Sequence, residues 1–355
     1  MQKLRVGAIG YGYWGPNLIR NFAELPDSEL CAVAEMDQNR LLEVKRRYPQ
    51  VYTTRNFQDL FSQQLDAVVI ATPPHTHCSI VRNCLRQGLH CLVEKPLTLT
   101  SEDARALIQI AQEEQRILMV GHTFEYNAAV RTLKAMIQSG ELGEIQYIDA
   151  VRVSLGLFQR HLNVIWDLAP HDVSILLYLL DAMPISVGAW GTACVQEGIE
   201  DVAYLSLRFP HDILTHIRVS WLDPCKTRRI TVVGSKKMVI YDDVEPQEKI
   251  KVYDKGVKVI RHTDTFGEFQ FAYHYGDIVS PYIRLEEPLR VECSHFLECI
   301  REGKQPQTDG YNGLRVVEIL EMAQQSLQGS GAPMMSTSSY PAWTERLPAF
   351  AMPVA

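Results

Sequence analysis

The sequence predicts an α/β protein that opens with a doubly wound parallel sheet and continues into a second, strand-rich region. Short apolar, β-branched runs alternate with longer segments of helical spacing over the first 120 residues, and strands dominate after about residue 122. The length of 355 residues agrees with two domains, and the 46% hydrophobic composition argues against an intrinsically disordered chain.

The first region alternates predicted strands and helices. Apolar runs predict strands at residues 5–9, 30–34, 67–71, 91–93 and 117–120, and helical spacing predicts helices at 17–25, 38–48, 79–87 and 101–114. Ser101, followed by Glu102 and Asp103, is a typical helix start because a hydroxyl and acidic groups suit the exposed amides of a first turn. This alternation predicts right-handed βαβ units in a domain of residues 1–121.

The second region, residues 122–330, predicts a domain that mixes helices with many strands. Helices are predicted at 126–138, 166–180, 291–301 and 312–327, and strands at 145–153, 201–209, 213–221, 229–233 and 249–253. Apolar and polar residues alternate over 213–221, which is typical of an antiparallel strand with one buried face. Gly234-Ser235 and Lys255-Gly256 are predicted hairpin turns, and residues 331–355 predict an extended arm.

Charge and composition exclude several classes of partner. The formal charge is -7 with no long run of Lys or Arg, so we expect no nucleic-acid partner. The most apolar stretch, residues 175–190, is interrupted by Asp181 and Pro184 and is too short to cross a membrane. None of the eight cysteines forms a C-x-x-C pair, and residues 1–9 lack the pattern of a signal peptide. We therefore expect reduced thiols in a cytoplasmic protein.

A glycine-rich hexapeptide directly follows the first predicted strand. Its sequence is Gly10-Tyr11-Gly12-Tyr13-Trp14-Gly15, and a predicted helix comes next. Glycines at this spacing allow a tight turn and let the backbone approach a pyrophosphate, and the helix amides then point at the anion. We predict that this loop binds a dinucleotide cofactor; the alternative is a glycine-rich turn without a ligand.

Two acidic residues follow the second predicted strand. A carboxylate about 20 residues beyond the glycine loop can accept hydrogen bonds from an adenosine ribose, and Glu35 fits that place best, with Asp37 in reserve. A negative charge there would repel the extra phosphate of NADP, so we predict NAD rather than NADP. The alternative for Asp37 is that it only caps the helix that begins near Gln38.

The strand at 67–71 ends in Thr72-Pro73-Pro74-His75-Thr76-His77. Because doubly wound sheets bind ligands at the carboxyl ends of their strands, we predict cofactor contacts from Thr72, Pro73, Pro74 and His77. A metallohydrolase is the alternative, since His75 and His77 form an H-x-H pair. Further ligands at matching strand ends are not obvious, so we predict no metal.

Glu94-Lys95-Pro96 follows the apolar strand at 91–93. At this strand end Lys95 can donate hydrogen bonds to a substrate oxygen and stabilise charge that develops there. The alternative is an exposed loop lysine. Pro96 is a candidate for a cis peptide bond.

Asp167 and His171 are four residues apart and share one face of a predicted helix. Asp167 can orient His171 and raise its basicity, as carboxylates do in acid/base pairs. Pro170 fits only a first helical turn, which predicts that the helix begins near Trp166 or Asp167. The alternative is a helix capped by Asp167 with His171 as a core residue.

With these four motifs in this order, the chain resembles the Gfo/Idh/MocA oxidoreductase family. The shared pattern is G-x-G-x-x-G, then A-T-P, then E-K-P, then D-x-x-x-H, and it covers nearly the whole chain. The resemblance implies an N-terminal Rossmann domain and a C-terminal domain with a large, mostly antiparallel sheet that mediates dimers or tetramers.

Finer features are similar to the nucleotide-sugar branch of that family, the UDP-N-acetylglucosaminuronate 3-dehydrogenases and related sugar ketoreductases. They are the runs at residues 12–17 and 121–127 and the run from 155 through 167. Two positions depart from the family pattern. Glu35 stands where Asp is more usual, which bears on the choice of cofactor, and Pro74 stands where many members carry Asn, which removes one cofactor hydrogen bond.

The resemblance and the motifs together predict an NAD-dependent oxidoreductase that acts on a secondary alcohol, or its ketone, of a nucleotide-linked sugar. We expect His171 to be the general acid/base, Asp167 to orient it, and Lys95 to bind the reacting oxygen; the alternative is that Lys95 carries the proton. Glu94 is expected to bind the nicotinamide ribose and Trp166 to contact the nicotinamide. Further substrate contacts are predicted from Tyr126 and Asn163. The alternatives are a dehydrogenase of a free sugar or inositol, and a non-catalytic NAD-binding regulatory protein.

Overall fold

The protein is described by a computed structural model over residues 2–261 and 269–336. The chain divides into two compact units. Within the described residues, the first unit comprises 2–126 and 286–318, and the second comprises 127–261, 269–285 and 319–336. The sequence did not indicate that residues 286–318 return to the first unit. Most of the predicted C-terminal arm, residues 337–355, lies outside the described residues.

A six-stranded parallel sheet runs through the first unit. Its strands are β1 (Leu4–Ile9), β2 (Ser28–Ala34), β3 (Tyr52–Thr54), β4 (Ala67–Ile70), β5 (His90–Glu94) and β6 (Leu118–Gly121). Their order is β3-β2-β1-β4-β5-β6, and every neighbouring pair is parallel. The predicted doubly wound parallel sheet is confirmed, although the sequence missed the short edge strand β3. All six strands therefore end at the same edge of the sheet.

Four helices follow these strands and lie within three residues of the predicted bounds. They are α1 (Gly15–Glu24), α2 (Gln38–Arg47), α3 (His77–Arg86) and α4 (Ser101–Glu113). Helix α4 begins at Ser101 as predicted, but its cap is the preceding residue. The Thr100 hydroxyl accepts a hydrogen bond from the Asp103 amide at 3.1 Å, and it thereby satisfies one of the exposed amides of the first turn.

A nine-stranded, mostly antiparallel sheet dominates the second unit, as the family resemblance implied. Its strands are β7 (Ile145–Val153), β8 (Ser186–Thr192), β9 (Val202–Arg208), β10 (Leu214–Ser220), β11 (Thr227–Gly234), β12 (Met238–Asp242), β13 (Ile250–Arg261), β14 (Phe269–Val279) and β15 (Met334–Met335). Their order is β14-β13-β12-β11-β7-β10-β9-β8-β15. Strands β7 and β10 run parallel, and the other neighbouring pairs are antiparallel.

One predicted hairpin turn in this sheet is confirmed and the other is wrong. Gly234 ends β11, and its amide bonds the Lys237 carbonyl at 3.0 Å before β12 begins, as a hairpin requires. Strand β13 instead continues through Lys255 and Gly256, because Gly256 pairs with His274 of β14. A Lys-Gly pair is thus tolerated within a paired strand, where glycine costs some stability without ending the ladder.

Helices α5 (Ala128–Gln138) and α6 (Val164–Leu180) also belong to the second unit. Helix α6 starts at Val164, two residues before the predicted Trp166, so Pro170 lies in its interior and the prediction that this proline belongs to the first turn is wrong. Proline there removes one i→i−4 hydrogen bond. Burial of most of the helix offsets this loss, because α6 is apolar on nearly every side and packs against β7, β9 and β10.

Helices α7 (Pro288–Glu302) and α8 (Gly310–Gln328) complete the α-helices of the described residues. Helix α7 joins the core of the first unit, where Phe296 meets Phe22 of α1 edge to face, with ring centroids 6.3 Å apart. Such aromatic pairs stabilise beyond the area that they bury. Residues 288–302 are therefore part of the first unit's core.

Two expectations drawn from composition can be compared with the structure. All eight cysteines are free thiols, as predicted. Across residues 2–261 and 269–336, every helix falls short of the length and apolar character that crossing a membrane would need.

Candidate active site

The glycine loop joins β1 to α1 at the carboxyl edge of the first unit's sheet. Gly10 has a φ of +97°, and a Cβ there would lie 2.6 Å from the Ala71 carbonyl oxygen. A Cβ on Gly15 would lie 2.3 Å from the Gly10 carbonyl oxygen. The fold itself therefore requires glycine at both positions.

Gly12 is different, because the protein does not fill the space beside it. The nearest atom to a Cβ built on Gly12 is Arg40 Nη1, at 3.7 Å. Trp14, at the N-cap of α1, contributes no side-chain cap. Pro16 has no N–H and the Asn17 amide bonds the Trp14 carbonyl at 3.0 Å, so the Gly15 amide is the uncapped donor of the first helical residues. The open space at Gly12 and this amide fit a pyrophosphate. Tyr13, the most exposed of the predicted loop contacts, is 83% exposed.

Glu35 lies directly after β2, and its carboxylate is fixed by two backbone amides. Its Oε2 accepts a hydrogen bond from the Tyr11 amide at 2.6 Å, and its Oε1 accepts one from the Asp37 amide at 3.0 Å. A carboxylate has further lone pairs, so Glu35 can still accept ribose hydroxyls. Asp37 caps α2 by accepting from the amides of Asn39 and Arg40, as expected for a capping residue, and its reserve role at the ribose stays a prediction.

His77 holds together the turns that follow β4 and β5. Its ring nitrogens lie 2.8 Å from the Thr72 carbonyl oxygen and 2.9 Å from the Pro96 carbonyl oxygen, and the side chain is fully buried. The structure gives no support to a direct cofactor contact or metal ligation by His77, because the ring is buried and both nitrogens face backbone carbonyl oxygens. In the part of the chain that is described, no group of three or more His, Cys, Asp or Glu side chains could hold a metal.

The turn that precedes His77 contains the other predicted cofactor contacts at this strand end. The Thr76 hydroxyl lies 2.7 Å from Thr72 Oγ1 and 2.7 Å from the Pro73 carbonyl oxygen. Pro73 is exposed, and Thr72 and Pro74 are half-buried. These three residues thus remain accessible at the carboxyl edge, where a cofactor contact is predicted.

Glu94 ends β5 and lies over Gly121 of β6. A Cβ on Gly121 would approach the Glu94 carboxyl group to 3.2 Å, so glycine makes room for this side chain. Glu94 Oε2 accepts from the Lys95 amide at 3.3 Å, whereas Oε1 is buried and has no protein partner. Burial raises the pKa of Glu94 to about 7, against the opposing effects of the Lys95 charge and a Trp14 hydrogen bond. A ribose hydroxyl would supply the donor that Oε1 lacks. The peptide bond between Lys95 and Pro96 is cis, as predicted.

Two buried groups near Glu94 and Lys95 were missed by the sequence reasoning. His122 follows β6, is 1% exposed, and has no protein partner at either ring nitrogen. Burial, reinforced by the Lys95 charge, lowers the pKa of His122 to about 3. Glu292 of α7 accepts from the Thr123 hydroxyl at 2.7 Å, and burial together with Glu94 raises its pKa well above the usual value. His122 is therefore neutral near neutral pH, and burial favours the protonated form of Glu292. His122 lay within the run at 121–127, but that run was used only to assign the branch.

Tyr126 is placed differently from the prediction. It is 2% exposed, its hydroxyl lies 3.0 Å from Thr308 Oγ1, and its ring packs against His295 with centroids 5.6 Å apart. The structure gives no support to a substrate contact from Tyr126, because its ring and hydroxyl are already occupied within the first unit.

In the second unit, the N-terminal half of α6 carries the predicted acid/base pair. Asp167 and His171 lie one turn apart on this helix. Asp167 Oδ2 accepts a hydrogen bond from the indole nitrogen of Trp221 at 2.9 Å. Sequence reasoning missed Trp221, which was seen only as the last residue of a predicted strand.

Asn163 and Trp166 are tied into the same end of α6. Asn163 Oδ1 caps the helix by accepting from the Trp166 amide at 3.3 Å. Asn163 Nδ2 donates to Glu200 and to Gln324, each at 2.9 Å. Both amide hydrogens of Asn163 are thus already hydrogen-bonded. A substrate contact from Asn163 stays a prediction, and only Oδ1, which can accept a second hydrogen bond, could make it. Trp166 is 8% exposed, and its indole donates to Gln324 at 3.3 Å.

The structure therefore gathers the predicted residues into two sets. In the first unit, the glycine loop, Glu35, Thr72, Glu94 and Lys95 follow the carboxyl ends of neighbouring strands. In the second unit, Asn163, Trp166, Asp167 and His171 share the start of one helix.

Family models cover most of both regions. A model described as "Oxidoreductase family, NAD-binding Rossmann fold" matches residues 4–122, and a second, described as "GFO/IDH/MocA C-terminal domain", matches residues 130–240. The chain belongs to the Gfo/Idh/MocA oxidoreductase family. The family resemblance and the fold class expected from the sequence are thereby confirmed.

Proteins similar to this chain include enzymes that are named for different substrates. UDP-N-acetylglucosamine 3-dehydrogenase of Acidithiobacillus ferrooxidans is 35% identical over 205 residues, which are 56% of this chain and 61% of that relative. A solved structure under that name has a TM-score of 0.77 at 25% identity and covers 93% of this chain and 99% of that chain. scyllo-Inositol 2-dehydrogenase (NAD(+)) of Bacillus subtilis is 27% identical over 315 residues, 85% of this chain and 86% of that relative.

The pKa of Glu94 leads to a prediction about pH. A ribose hydroxyl donates best to an ionised carboxylate, so we expect NADH binding to weaken as the pH falls through about 7. Glu94→Gln should bind NADH more weakly than wild type at pH 8, with little pH dependence. Fluorescence transfer from protein to NADH, titrated between pH 5.5 and 8.5, measures both.

The free energy of unfolding gives a second measure of the ionisation of Glu94. Because folding raises this pKa, the buried charge destabilises the folded state above pH 7 and has no effect below the unfolded value of 4.5. Glu94→Gln should therefore stabilise the protein at pH 8, by up to about 3 kcal/mol, and leave stability unchanged near pH 4. The exposed Glu114→Gln is the matched control. A stability difference that is the same at both pH values would disprove the assignment.

Proposed function

We propose that the protein is an NAD-dependent oxidoreductase that transfers a hydride between nicotinamide and a secondary alcohol, or the matching ketone, of a sugar. The observation that carries this proposal is the Glu94–Lys95 pair at the carboxyl edge of the parallel sheet. It combines a buried acceptor that has no protein partner with an adjacent lysine. A cofactor hydroxyl and a reacting substrate oxygen are the groups that such a pair suits.

The residues of the first unit fit the cofactor in order along the sheet edge. The space at Gly12 and the Gly15 amide at the start of α1 would hold the pyrophosphate, Glu35 the adenosine ribose, and Glu94 the nicotinamide ribose. The bound nicotinamide supplies the hydride chemistry.

His171 and Lys95 are proposed to handle the proton. During oxidation the neutral imidazole of His171 takes the proton of the substrate hydroxyl, and the Lys95 ammonium stabilises the charge that develops on that oxygen. Asp167 stabilises the imidazolium that results. During reduction the same groups work in reverse.

A nucleotide-linked sugar is the proposed substrate class. The support is the name of the relative that is 35% identical and the residue runs that resemble the nucleotide-sugar branch. The inositol dehydrogenase relative keeps a free sugar or inositol as the alternative. We also propose that the protein acts in the cytoplasm, where its eight free thiols would stay reduced.

Cofactor preference is expected to depend on Glu35. Its carboxylate opposes the ribose phosphate of NADP, whereas Arg40 in the first turn of α2 lies beside Gly12 and could bind that phosphate. Wild type should bind NADH at least 10-fold more tightly than NADPH. Glu35→Ser should reverse or abolish this preference, and Arg40→Ala in the Glu35→Ser background should remove the gain for NADPH. Calorimetric titration with both cofactors measures the ratios; wild-type preference for NADPH would refute NAD as the cofactor.

Turnover should need Lys95 and His171, whereas folding should not. We expect Lys95→Ala and His171→Ala each to lower kcat by about 10²–10⁴-fold, with melting temperature and NADH affinity close to wild type. Asp167→Asn should lose less, because its role is orientation. The assay follows NADH formation from NAD with UDP-N-acetylglucosamine, its uronate, myo-inositol and glucose.

The outcomes of that assay separate the candidate functions. Turnover confined to the nucleotide sugars supports the proposed substrate class, and turnover confined to myo-inositol or glucose overturns it. NADH binding without turnover of any of the four substrates would favour the regulatory alternative. Near wild-type turnover in His171→Ala would remove His171 from the mechanism.

A homodimer or homotetramer is proposed, built on the outer face of the second unit's sheet. Trp190, Tyr204 and Arg218 stand opposite one another on β8, β9 and β10, and the two aromatic residues are 53% and 51% exposed. Asp149 and His216 line the same shallow depression. Exposed aromatic residues flanked by both charge signs suit a self-complementary contact across a two-fold axis.

Light scattering should therefore give at least twice the monomer mass of 40.3 kDa at micromolar concentration. Tyr204→Glu should dissociate the assembly by placing a charge in the contact, whereas Tyr52→Glu, at an exposed position of the first unit, should not. A wild-type monomer, or an intact oligomer in Tyr204→Glu, would refute this interface.

A further inference from the structure

We propose that Trp221 is a positioning residue for the acid/base pair: its indole N–H holds the Asp167 carboxylate in the orientation from which Asp167 acts on His171. This inference rests on the proposed function, in which His171 transfers the proton. It adds a third member from a different element, because Trp221 directly follows β10 whereas Asp167 and His171 lie on α6.

The contact between the indole and the carboxylate is direct. Trp221 Nε1 lies 2.9 Å from Asp167 Oδ2, which is the length of a good charge-assisted hydrogen bond. An indole nitrogen can only donate, so Oδ2 is fixed as the acceptor and the carboxylate cannot rotate freely about its Cβ–Cγ bond. The orientation of the other oxygen, Oδ1, follows from that constraint.

Trp221 is itself held firmly. It is 1% exposed, its amide donates to the Asp201 carbonyl at 2.9 Å, and its carbonyl accepts from the Gly156 amide at 2.8 Å. The Phe158 ring packs on the indole with centroids 5.6 Å apart, and a Cβ on Gly156 would come within 3.1 Å of Trp221 Cδ1. Backbone and ring contacts together fix the direction of the N–H, so little freedom is lost when it bonds Asp167.

A buried indole N–H needs an acceptor for stability alone, and a neutral carbonyl would meet that need. The acceptor here is instead the carboxylate one helical turn from His171. Trp221 would thus hold the carboxylate that orients His171. In many enzymes and metal sites, a carboxylate that orients a histidine is itself held by further hydrogen bonds. A structural role predicts only a loss of stability when the N–H is removed, whereas a positioning role also predicts an effect on His171.

Other charged groups around α6 are paired among themselves. Arg152 of β7 forms a buried ion pair with Asp172 at 2.7 Å, and Lys134 of α5 pairs with Asp181 at 2.5 Å. Glu200 accepts from Asn163, and Asp201 accepts from the amides of Cys194 and Val195. None of these bonds involves the indole nitrogen of Trp221, so its removal leaves them in place.

The test removes the N–H and keeps an aromatic ring. Trp221→Phe is compared with Asp167→Asn, with the double variant, and with Tyr241→Phe, a control that removes a buried aromatic donor to a different carboxylate, that of Asp243. We expect Trp221→Phe to lower kcat by about 10-fold or more, at unchanged NADH affinity. Its kcat–pH profile for oxidation should move in the same direction as that of Asp167→Asn. Tyr241→Phe should keep the kcat and the pH profile of wild type.

The double variant separates positioning from structure. If Trp221 acts through Asp167, adding Trp221→Phe to Asp167→Asn should cost at most about 2-fold more in kcat. Independent effects that multiply would overturn the proposal, as would wild-type kcat and pH profile in Trp221→Phe.

A measurement without turnover distinguishes failure of this inference from failure of the proposed function. In the full-length protein, ¹⁵N-histidine NMR, assigned with His171→Ala, follows the titration of the His171 ring. Trp221→Phe should lower the titration midpoint of His171, as Asp167→Asn should, because a misoriented carboxylate stabilises the imidazolium less. An unchanged midpoint overturns the positioning role. A lowered midpoint in a protein that turns over no sugar would instead leave the coupling intact and refute the proposed function.

Discussion

The arrangement at the sheet edge depends on one close approach, that of the first turn of α1 to the glycine loop. A Cβ on Gly15 would lie only 2.3 Å from the Gly10 carbonyl oxygen, and Gly10 itself has a φ of +97°. The helix can therefore start at this point only because both residues are glycines. The turn that results brings the Tyr11 amide to Glu35, which fixes the carboxylate at the end of β2. A backbone constraint between two glycines thus positions a side chain on a different strand.

Burial governs the charges at the neighbouring strand ends. Burial and the Lys95 charge keep His122 neutral, and burial together with Glu94 raises the pKa of Glu292 well above its usual value. Glu94 lies between these extremes, because the Lys95 charge partly offsets its desolvation and leaves its pKa at about 7. The first unit thereby keeps one carboxylate poised to ionise where a cofactor hydroxyl is proposed to bind.

Much of the first unit could be predicted because its strands are buried on both faces. Strand β4 is buried at every position, so its sequence is a continuous apolar run that periodicity recognises. Sequence spacing also placed Asp167 and His171 on one helical face. It could not find Trp221, which is 54 residues from Asp167, or the contact of Glu292 with Thr123 across 169 residues. Contacts of this kind arise from tertiary packing and leave no local pattern. Pro170 shows a different limit of sequence reasoning. Proline disfavours a helix interior, but tertiary packing of α6 overrides this preference.

Hydrogen-bonding capacity separates residues that build the scaffold from those that remain available to a ligand. His77 has both ring nitrogens on backbone carbonyls, Tyr126 has its hydroxyl on Thr308, and Asn163 has both amide hydrogens on side chains of its own unit. Motif reasoning cannot make this distinction, because it identifies a residue type and position but not what the side chain already binds. Glu94 Oε1 is the opposite case, because it is buried and has no donor within the protein. A buried carboxylate oxygen without a donor costs free energy unless a ligand supplies the hydrogen bond. That cost is the physical reason to place a ribose hydroxyl at Glu94, and it does not depend on any resemblance to other proteins.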